Sequence, residues 1–561
     1  MSGPTHDSIS DAVVLAVIAG LATLATALWL WGGLAGALFG SGWPHVGAAQ
    51  LLGIVIRLPS HLSDPAGAWP AVARSRLPGA GGFYGALALL AGAAAVVVVV
   101  AGRIAVGLRA DESARWARPS ELRRLRSAWR ADRRGRLVLG RRGGRLLYAE
   151  QRHALVAFGP PQSGKSAGIA IPALLDWSGP AVACSIKTDL LAATISRRRE
   201  LGDALVFDPF GLARMPTHTW SPLHGAGTWD GALEVAWRLA SAAEVDRRSL
   251  EGGDFWAVAA EQRLAPLLFA AAAGGAGMDG VVRWVYGQGA RELDETLMRI
   301  SGEADSEPRV ADAYAAYDAV RAFEAQADRT RTSIEATAQT LLRAYRFQRV
   351  MRSAAASEIT ADRLLDGAAT LYLIGDAKAS KLLRPLFLAL LGEIVDRAYE
   401  RATLAGGRLE RPLLLCLDEA GNVAPLPSLA EIASTAPSHN IQLVTIFHDL
   451  AQARSRYGQQ AETVVNSHRA RMLLPGVADL DTLRYFAGLI GEEEARERTH
   501  TTGAGGTSRS TSRRRRPLMA AEALRQLPDR HALLLYGRLA PTRLRLRLWF
   551  EDRRLRRLAG A

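Results

Sequence analysis

The segment Gly159–Ser166 reads GPPQSGKS, which has the spacing G-x-x-x-x-G-K-S. The apolar run Ala154–Phe158 precedes it, and an apolar segment of helical composition follows it. Glycines at this spacing let successive backbone N–H groups surround one anion at the start of a helix. Strand, loop and helix in this order predict an α/β fold with a phosphate-binding loop at one edge of the sheet.

The side chains of this loop predict ATP and Mg²⁺ as its ligands. Lys165 is expected to reach the β- and γ-phosphates, and the Ser166 hydroxyl is expected to bind Mg²⁺. Only four of the 69 basic residues are lysines, Lys165 among them, and its compact ammonium is a charge that the planar guanidinium of arginine does not reproduce. The predicted nucleotide-binding residues are Gly159, Pro160, Pro161, Gln162, Ser163, Gly164, Lys165 and Ser166.

Two further apolar runs end in polar residues. Leu413–Leu417, typical of a buried strand, ends at Asp418 and Glu419. We predict that Asp418 holds Mg²⁺ through a water molecule and that Glu419 is the general base for the attacking water. Ile441–Phe447 ends at His448, which we expect to donate a hydrogen bond to the γ-phosphate, with a structural histidine as the alternative. The predicted catalytic residues are therefore Glu419, Lys165 and His448.

Two segments near the N-terminus contain no charged side chain. One lies between Asp11 and Arg57, and the other between Arg76 and Arg103. Each exceeds the roughly 20 residues that cross the hydrocarbon core of a bilayer. We therefore predict a membrane anchor at residues 1–108, with helices at about 12–40 and 80–106 and an outer loop between them.

The residues that follow the second span are strongly basic. Residues 109–145 contain 13 arginines against four acids. Because cytoplasmic flanks of membrane helices are enriched in arginine, this predicts a two-span inner-membrane protein whose N-terminus and large C-terminal part are both cytoplasmic. We interpret 109–145 as a basic cytosolic linker that contacts anionic lipid or, alternatively, DNA.

The net charge of +14 favours a polyanionic partner, either nucleic acid or an anionic membrane face. All but four of the basic residues are arginine, which is typical of a GC-rich genome and weakens this argument. The two cysteines, Cys184 and Cys416, lie in apolar runs and have no metal-binding spacing. We expect both to be buried in strands and without a functional role.

Five segments follow the phosphate-binding loop in a fixed order. They are Ser185–Leu190 (SIKTDL), Phe207–Pro209 (FDP), Trp220–Leu223 (WSPL), Leu417–Ser434 (LDEAGNVAPLPSLAEIAS) and Asp449–Gly458 (DLAQARSRYG). This series resembles the type IV secretion coupling proteins, the TraG/TraD-like ATPases of conjugative DNA transfer, which are similar to hexameric FtsK/HerA-type motors. The resemblance covers nearly the whole chain, and its specificity comes from the order of the segments.

The resemblance implies a RecA/FtsK-like P-loop motor domain at residues 146–228 and 362–561, interrupted by an all-α insertion domain at 229–361. By composition alone, the latter region is an Ala-rich helical insertion. The resemblance also implies a homo-hexamer. Its implied partners are DNA, single-stranded and attached to a relaxase, components of the type IV secretion channel, and membrane lipid.

Two positions depart from the pattern of the family. The family often has Gln where His448 stands. It also often has an arginine just before the strand that corresponds to Ile441–Phe447, where this chain has Ala436–His439 (APSH). That arginine is thought to reach the nucleotide of the neighbouring subunit, and such a residue contributes about 10³–10⁵ in rate. Either Arg331 or Arg454 replaces it, or hydrolysis is slow.

The C-terminal part carries two further predictions. Thr499–Arg516 is basic and of low complexity, so we predict a disordered loop, with contact to DNA as an alternative role. The alternating runs Ala532–Tyr536 and Leu544–Phe550 predict strands that close the motor sheet.

The resemblance implies a membrane-anchored, DNA-translocating ATPase that couples relaxase-bound DNA to a secretion or conjugation channel. Three alternatives stay open. One is a coupling ATPase that recruits effector proteins. Another is a double-stranded DNA pump of the FtsK type, which predicts a winged-helix tail. The third, if His448 and the missing arginine abolish turnover, is a catalytically weak, nucleotide-gated membrane scaffold.

Overall fold

The computed structural model describes residues 6–108, 113–126, 135–247, 253–503 and 506–560. The chain divides into two compact units, Met1–Glu112 and Ser113–Ala561. The N-terminal unit contains helices α1 (His6–Phe39), α2 (Ala48–Arg57), α3 (Ala71–Arg74) and α4 (Ala80–Leu108), with 3₁₀ turns at Leu58–His61 and Pro65–Ala68.

Helices α1 and α4 correspond to the two predicted membrane helices. The windows Ala22–Phe39 and Ala80–Val100 are long and apolar enough to cross a bilayer. The ring of Phe83 lies 5.1 Å from that of Trp31 and 4.8 Å from that of Trp69. The Trp31 indole also donates a hydrogen bond to the Phe83 carbonyl at 2.7 Å, which ties α1 to α4.

The second unit is built on strands β1 (Val138–Arg142), β2 (Arg145–Tyr148), β3 (Leu155–Phe158), β4 (Ala181–Ser185), β5 (Ala204–Phe207), β6 (Thr370–Ile374), β7 (Leu413–Leu417), β8 (Ile441–Phe447), β9 (Ala470–Leu473), β10 (Glu492–Gly503), β11 (Gly506–Pro517), β12 (His531–Tyr536) and β13 (Thr542–Arg545). Eleven of them form one sheet in the order β2-β1-β13-β12-β9-β3-β8-β7-β4-β6-β5. Neighbours from β9 to β5 pair in parallel, and the remaining neighbours pair antiparallel. Strands β3, β4, β6, β7 and β8 are buried along their whole length, which explains their uninterrupted apolar sequences.

Helices cover the sheet and form the insertion. Those of the second unit are α5 (Ile171–Asp176), α6 (Asp189–Leu201), α7 (Trp229–Arg247), α8 (Gly253–Gly274), α9 (Gly277–Val285), α10 (Ala290–Glu303), α11 (Glu307–Glu324), α12 (Asp328–Leu342), α13 (Gln348–Ser353), α14 (Ala361–Leu365), α15 (Ala377–Leu404), α16 (Leu429–Thr435), α17 (Leu450–Tyr457), α18 (Ala461–Ser467), α19 (Leu480–Ile490), α20 (Ala521–Arg525) and α21 (Arg553–Ala559). Short 3₁₀ turns lie at Glu121–Leu125, Pro222–Gly225, Arg343–Arg346, Ala436–His439 and Gly458–Gln460. Helices α7–α14 all lie in the connection between the paired strands β5 and β6, where the sequence predicted a helical insertion.

The basic segment predicted as a linker at 109–145 contributes to the sheet instead. Its described part contains β1 and the start of β2. Its arginines are partly structural, because the nearly buried Arg136 donates hydrogen bonds to the carbonyls of Ala149 at 2.7 Å and Arg124 at 3.0 Å. The sheet therefore begins before residue 146, and part of this positive charge has a role within the fold.

The prediction of a disordered loop at Thr499–Arg516 was wrong. Strands β10 and β11 pair as an antiparallel ribbon, from Glu492 opposite Pro517 to Gly503 opposite Gly506. Threonine is favoured in strands, and Glu493 and Glu494 of β10 lie opposite Arg516 and Arg515 of β11. Glu493 and Arg516 form an ion pair at 2.8 Å. Composition alone did not show this pairing.

The predicted strand Leu544–Phe550 is also shorter than expected, since β13 ends at Arg545. The chain leaves the sheet there because Arg547 is buried and forms ion pairs with Asp176 and Asp552. The Trp549 amide then donates to the Ala167 carbonyl at 3.1 Å. These contacts hold the C-terminal segment against the helix that follows the phosphate-binding loop.

Candidate active site

The phosphate-binding loop connects β3 to a helix that starts with one π-helical turn, Ser166–Ala170, and continues as α5. Gly164 has a φ of +89°, and Gln162 is also left-handed with a φ of 66°. A side chain at Gly164 would be strained by this conformation and would contact Leu546. The second glycine of the motif is therefore required by the backbone itself.

The sheet order brings the predicted site residues together. Strand β8 lies between β3 and β7, and all three are parallel. Their carboxyl ends meet at one edge, where Asp418 and Glu419 follow β7 and His448 follows β8. The Ser166 hydroxyl donates a hydrogen bond to Asp418 Oδ2 at 2.7 Å, so the loop and the first acid are in direct contact.

Glu419 adopts a left-handed backbone conformation, with a φ of 60°. Such a conformation is uncommon for a residue with a side chain, and it concentrates at functional sites. Its Oε1 lies 3.6 Å from Lys165 Nζ, and its Oε2 accepts a hydrogen bond from Asn422 Nδ2 at 3.2 Å. The carboxylate is thus held on two sides at the entrance to the loop.

His448 completes this network. Its Nδ1 lies 2.9 Å from Lys165 Nζ. Burial, and then the neighbouring charge of Lys165, lower the pKa of His448, so the ring is neutral at neutral pH. Because the ammonium can only donate, Nδ1 is the acceptor and the proton lies on Nε2. That Nε2 lies 3.7 Å from Glu419 Oε1.

The environment of Asp418 fits a divalent cation. Burial raises its pKa to about 6, against the hydrogen bond from Ser166 and the charge of Lys165. Its second oxygen, Oδ1, is buried and has no hydrogen-bond partner within the part of the chain that the structure describes. A buried carboxylate with an unsatisfied oxygen, beside a hydroxyl, is a donor set that suits Mg²⁺ and its water ligands.

The site opens into a cavity of about 670 Å³. Most of the predicted nucleotide-binding residues line it, together with Asp418, Glu419 and His448. Sequence reasoning missed the opposite wall of the cavity, which the C-terminal segment supplies through Asp529, Arg530, Leu548 and Phe550. Other lining residues that were not predicted include Ser185, Ile186, Lys187, Asp189, Asn422 and Pro475. Four of these, Ser185, Ile186, Lys187 and Asp189, belong to the segment SIKTDL, and Asn422 belongs to the segment Leu417–Ser434. Their positions in the motif series were the available signal for them.

Comparison with known proteins identifies the family. Residues 115–560 match the family described as Type IV secretory system conjugative DNA transfer. The chain belongs to this family.

Similarity to individual coupling proteins is distant but extensive. VirD4 of Rhizobium rhizogenes is 23% identical over 82% of this chain and 69% of its own length. The conjugal transfer protein TraG of Escherichia coli is 24% identical over 68% of this chain and 63% of its own length. The chain therefore spans about two thirds of the length of these relatives.

The fold is that of the conjugative coupling protein TrwB. One structure of truncated TrwB (TrwBdeltaN70) has a TM-score of 0.57 at 18% identity, and the match covers 78% of this chain and 93% of the solved chain. Another, solved in complex with ADP and Mg²⁺, has a TM-score of 0.56 at 16% identity, with 78% and 94% covered. This likeness confirms the predicted P-loop NTPase fold.

The arginine that the resemblance leads one to expect before β8 is absent from this site. The segment Ala436–His439 forms a 3₁₀ turn without an arginine. Both proposed substitutes are engaged with acids of their own copy, Arg331 with Asp328 and Arg454 with Asp481, each at 2.6 Å. Neither lines the cavity described above.

The cysteines lie where the sequence predicted. Cys184 is in β4 and Cys416 is in β7, and both are buried free thiols. Burial raises the pKa of both thiols well above the usual range, so neither is a thiolate at neutral pH.

Proposed function

We propose that this family member is a membrane-anchored ATPase that moves relaxase-bound, single-stranded DNA toward a type IV secretion channel. Membership of the family makes it a conjugative DNA-transfer coupling protein. The observation that carries the hydrolytic role is the convergence of Lys165, Ser166, Asp418 and Glu419 on one cavity. These four side chains are the minimum set for phosphoryl transfer to water in a P-loop enzyme.

Each residue has a distinct task in this proposal. The backbone of Gly159–Ser166 surrounds the phosphates, and the Lys165 ammonium neutralises the β- and γ-phosphate oxygens. Ser166 and Asp418 would hold Mg²⁺, Asp418 through a water molecule. The bound cation would supply further neutralisation of charge on the phosphate oxygens.

Glu419 accepts the proton of the attacking water in this proposal. Its contacts with Lys165 and Asn422 fix the carboxylate near the loop. His448 is neutral and carries its proton on Nε2, so it donates to the γ-phosphate and not to Lys165. The Gln of relatives would be expected to serve the same purpose, because a side-chain amide also offers an N–H donor.

The anchor and assembly belong to the same proposal. Helices α1 and α4 cross the inner membrane, with the arginine-rich segment after α4 and the motor unit in the cytoplasm. Six copies form a ring that engages DNA, a relaxase and channel components. The arginine missing before β8 is supplied in trans, by Arg331 or Arg454 once its acidic partner is released.

The test is phosphate release by the purified full-length protein in detergent, with no DNA, with single-stranded DNA and with duplex. We expect hydrolysis that single-stranded DNA stimulates and that Lys165→Ala abolishes. Wild-type protein that hydrolyses ATP no faster than Lys165→Ala under all conditions would contradict the motor. Stimulation by duplex alone would favour an FtsK-type pump, and stimulation by a protein substrate alone would favour effector delivery.

A further inference from the structure

The unit Ser113–Ala561 contains a second cavity, which is larger than the cavity at the phosphate-binding loop. We call the latter the nucleotide cavity. The volume of the second cavity is about 1050 Å³. It lies between the turn after β5, the segment from the 3₁₀ turn Arg343–Arg346 into α13, and the N-terminus of α15. We call it the basic cleft, defined by its five cations Arg343, Arg346, Arg349, Lys378 and Lys381 and its two aromatic residues Phe210 and Phe347.

The positive charge of the basic cleft is not balanced. None of its five cations forms an ion pair with a carboxylate of the described chain. Asp376 is the one acid among the described lining residues, and its Oδ1 caps α15 by accepting from the amides of Lys378 and Ala379 at 3.0 and 2.7 Å. The arginines of helices α9–α11 in the same insertion do form ion pairs; they are Arg283, Arg291, Arg299, Arg309 and Arg321.

The distribution of lysine points to the same place. The chain has four lysines. Lys165 and Lys187 line the nucleotide cavity, and Lys378 and Lys381 line the basic cleft. A sequence that otherwise uses arginine therefore has lysine only beside these two cavities. Lysine is a compact, mobile charge that contacts phosphate without the fixed geometry of a guanidinium.

Aromatic side chains lie between these charges. Phe347 is 48% exposed, and its ring lies 5.6 Å from that of Phe210 in an edge-to-face contact. The guanidinium of Arg349 lies 5.7 Å from the centre of the Phe210 ring and donates to the Phe210 carbonyl at 3.1 Å. An exposed aromatic ring among cations that have no carboxylate partner is the combination by which proteins bind single-stranded nucleic acid without reading its sequence.

The basic cleft is connected to the nucleotide cavity. A smaller cavity of about 420 Å³ lies between them. It shares the turn Ile186–Asp189 with the nucleotide cavity, and it shares Leu212 and Asp376 with the basic cleft. The turn Ile186–Asp189 would therefore lie between an anion bound in the cleft and the nucleotide cavity.

We propose that the basic cleft binds the sugar–phosphate backbone of single-stranded DNA and that the turn Ile186–Asp189 links its occupancy to the nucleotide cavity. The proposal rests on the proposed function for the identity of the polyanion. An acidic protein segment would match the charge, but it would not use the exposed ring of Phe347 for base stacking.

The test is binding of a fluorescein-labelled oligothymidylate to the full-length protein in detergent, measured by anisotropy across a NaCl series. Two variants remove charge from opposite walls of the cleft, Arg343→Gln with Arg346→Gln, and Lys378→Gln with Lys381→Gln. The matched control, Arg291→Gln with Arg299→Gln, removes two arginines that are paired with Glu295 and Glu303. Phosphate release without DNA and the melting temperature show that each variant is folded.

We expect each cleft variant to reduce the slope of log affinity against log salt by about 1.4, since each phosphate contact with a single strand contributes about 0.7. Both should lose stimulation of hydrolysis by DNA and keep the basal rate. Phe347→Leu should weaken binding about fivefold or more with an unchanged slope, because stacking is not electrostatic. The control should match wild type.

Three results would overturn the proposal. One is unchanged DNA binding in both cleft variants, and another is an equal loss in the control. The third is polyglutamate binding as tight as DNA binding that the cleft variants abolish, which would indicate an acidic protein partner. Wild-type hydrolysis no faster than that of Lys165→Ala refutes the proposed motor alone, since the binding assay does not depend on turnover.

Discussion

The nucleotide cavity and the basic cleft use positive charge in opposite ways. Lys165 is 6% exposed, and its ammonium lies 3.4 Å from the Gly159 carbonyl, 2.9 Å from His448 Nδ1 and 3.6 Å from Glu419 Oε1. The cations of the cleft are exposed and have no carboxylate partner in the described chain. A buried charge with fixed partners acts at one place, whereas exposed charges act through their sum. Substitutions should therefore be decisive in the cavity and graded in the cleft.

The largest effect is expected at Lys165. Lys165→Ala should reduce phosphate release about 10³-fold, because the loop loses the cation that is proposed to contact the β- and γ-phosphates. Lys165→Arg should not restore the rate, since a planar guanidinium does not fit between His448 and Glu419. Recovery above about one tenth of the wild-type rate in the arginine variant would show that charge alone suffices.

Glu419→Gln should separate binding from chemistry. We expect kcat to fall about 10²–10³-fold, because the amide cannot accept the proton of water, while ATP affinity stays within about threefold of wild type. Single-turnover hydrolysis and binding of a fluorescent ATP analogue measure the two effects. Glu431→Gln, at an exposed acid of α16, is the control. If ATP affinity falls as far as in Lys165→Ala, Glu419 is a binding residue and not the base.

Asp418→Asn should have opposite effects on the ligand-free and ligand-bound protein. In the folded chain burial raises the pKa of this carboxyl from 3.8 to about 6, so the unfolded chain ionises first as pH rises. The ionised carboxylate therefore lowers the free energy of unfolding of the ligand-free protein as pH rises from 3.8 to about 6, and the full loss remains above that pH. At pH 7.5 the asparagine variant should melt about 1–3 °C higher without nucleotide, and the gain should vanish toward pH 4.

When nucleotide and Mg²⁺ are bound, we expect Asp418→Asn to lower the stability of the protein instead of raising it. Stabilisation of wild-type protein by ADP with Mg²⁺ should decline as pH falls below about 6, because protons compete with the cation for Asp418. Asp418→Asn should show little Mg²⁺-dependent stabilisation at any pH. Equal stabilisation of both proteins by Mg²⁺ and ADP would show that Asp418 does not contribute to holding the cation.

A smaller effect is expected at His448. The neutral ring offers one donor, Nε2–H, so His448→Gln should keep most activity and His448→Ala should lose about tenfold in kcat with little change in KM. Steady-state kinetics of both variants give the comparison. An equal loss in the two variants would mean that the ring matters for positioning Lys165 and not as a donor.

The two regions also differ in how far the sequence could predict them. The phosphate end of the cavity follows from a local motif and from strand ends, so the sequence alone predicts that Lys165, Ser166 and Asp418 lie close together, as they do in the structure. The opposite wall comes from Arg530, Leu548 and Phe550. Leu548 and Phe550 lie beside Arg547, whose ion pair with Asp176 holds that segment against α5. No local pattern marks such a return of the chain.

The basic cleft was hidden for the same reason. Its residues come from three places, near 210, 343–349 and 378–381, which only the sheet order brings together. One signal was present, because Arg343, Arg346, Arg349 and Arg352 recur every third residue with no acid between them. The arginine-rich bias of the whole chain concealed it, and the sequence likewise did not show that strands begin at Val138 and Arg145, within the predicted linker at 109–145.

The smallest effect tests whether charge in the cleft is additive. Arg346→Gln alone should weaken the binding of oligothymidylate. The ratio of wild-type to variant affinity should be about 2.5-fold larger at 50 mM than at 200 mM NaCl, since one lost contact changes the salt slope by about 0.7. Arg299→Gln, which removes a paired arginine, should change neither value. The pair Arg343→Gln with Arg346→Gln should then give twice the change in slope. A single substitution that abolishes binding would mean that Arg346 contacts DNA in a fixed geometry, as Lys165 is proposed to contact phosphate, and the contrast between the two regions would no longer hold.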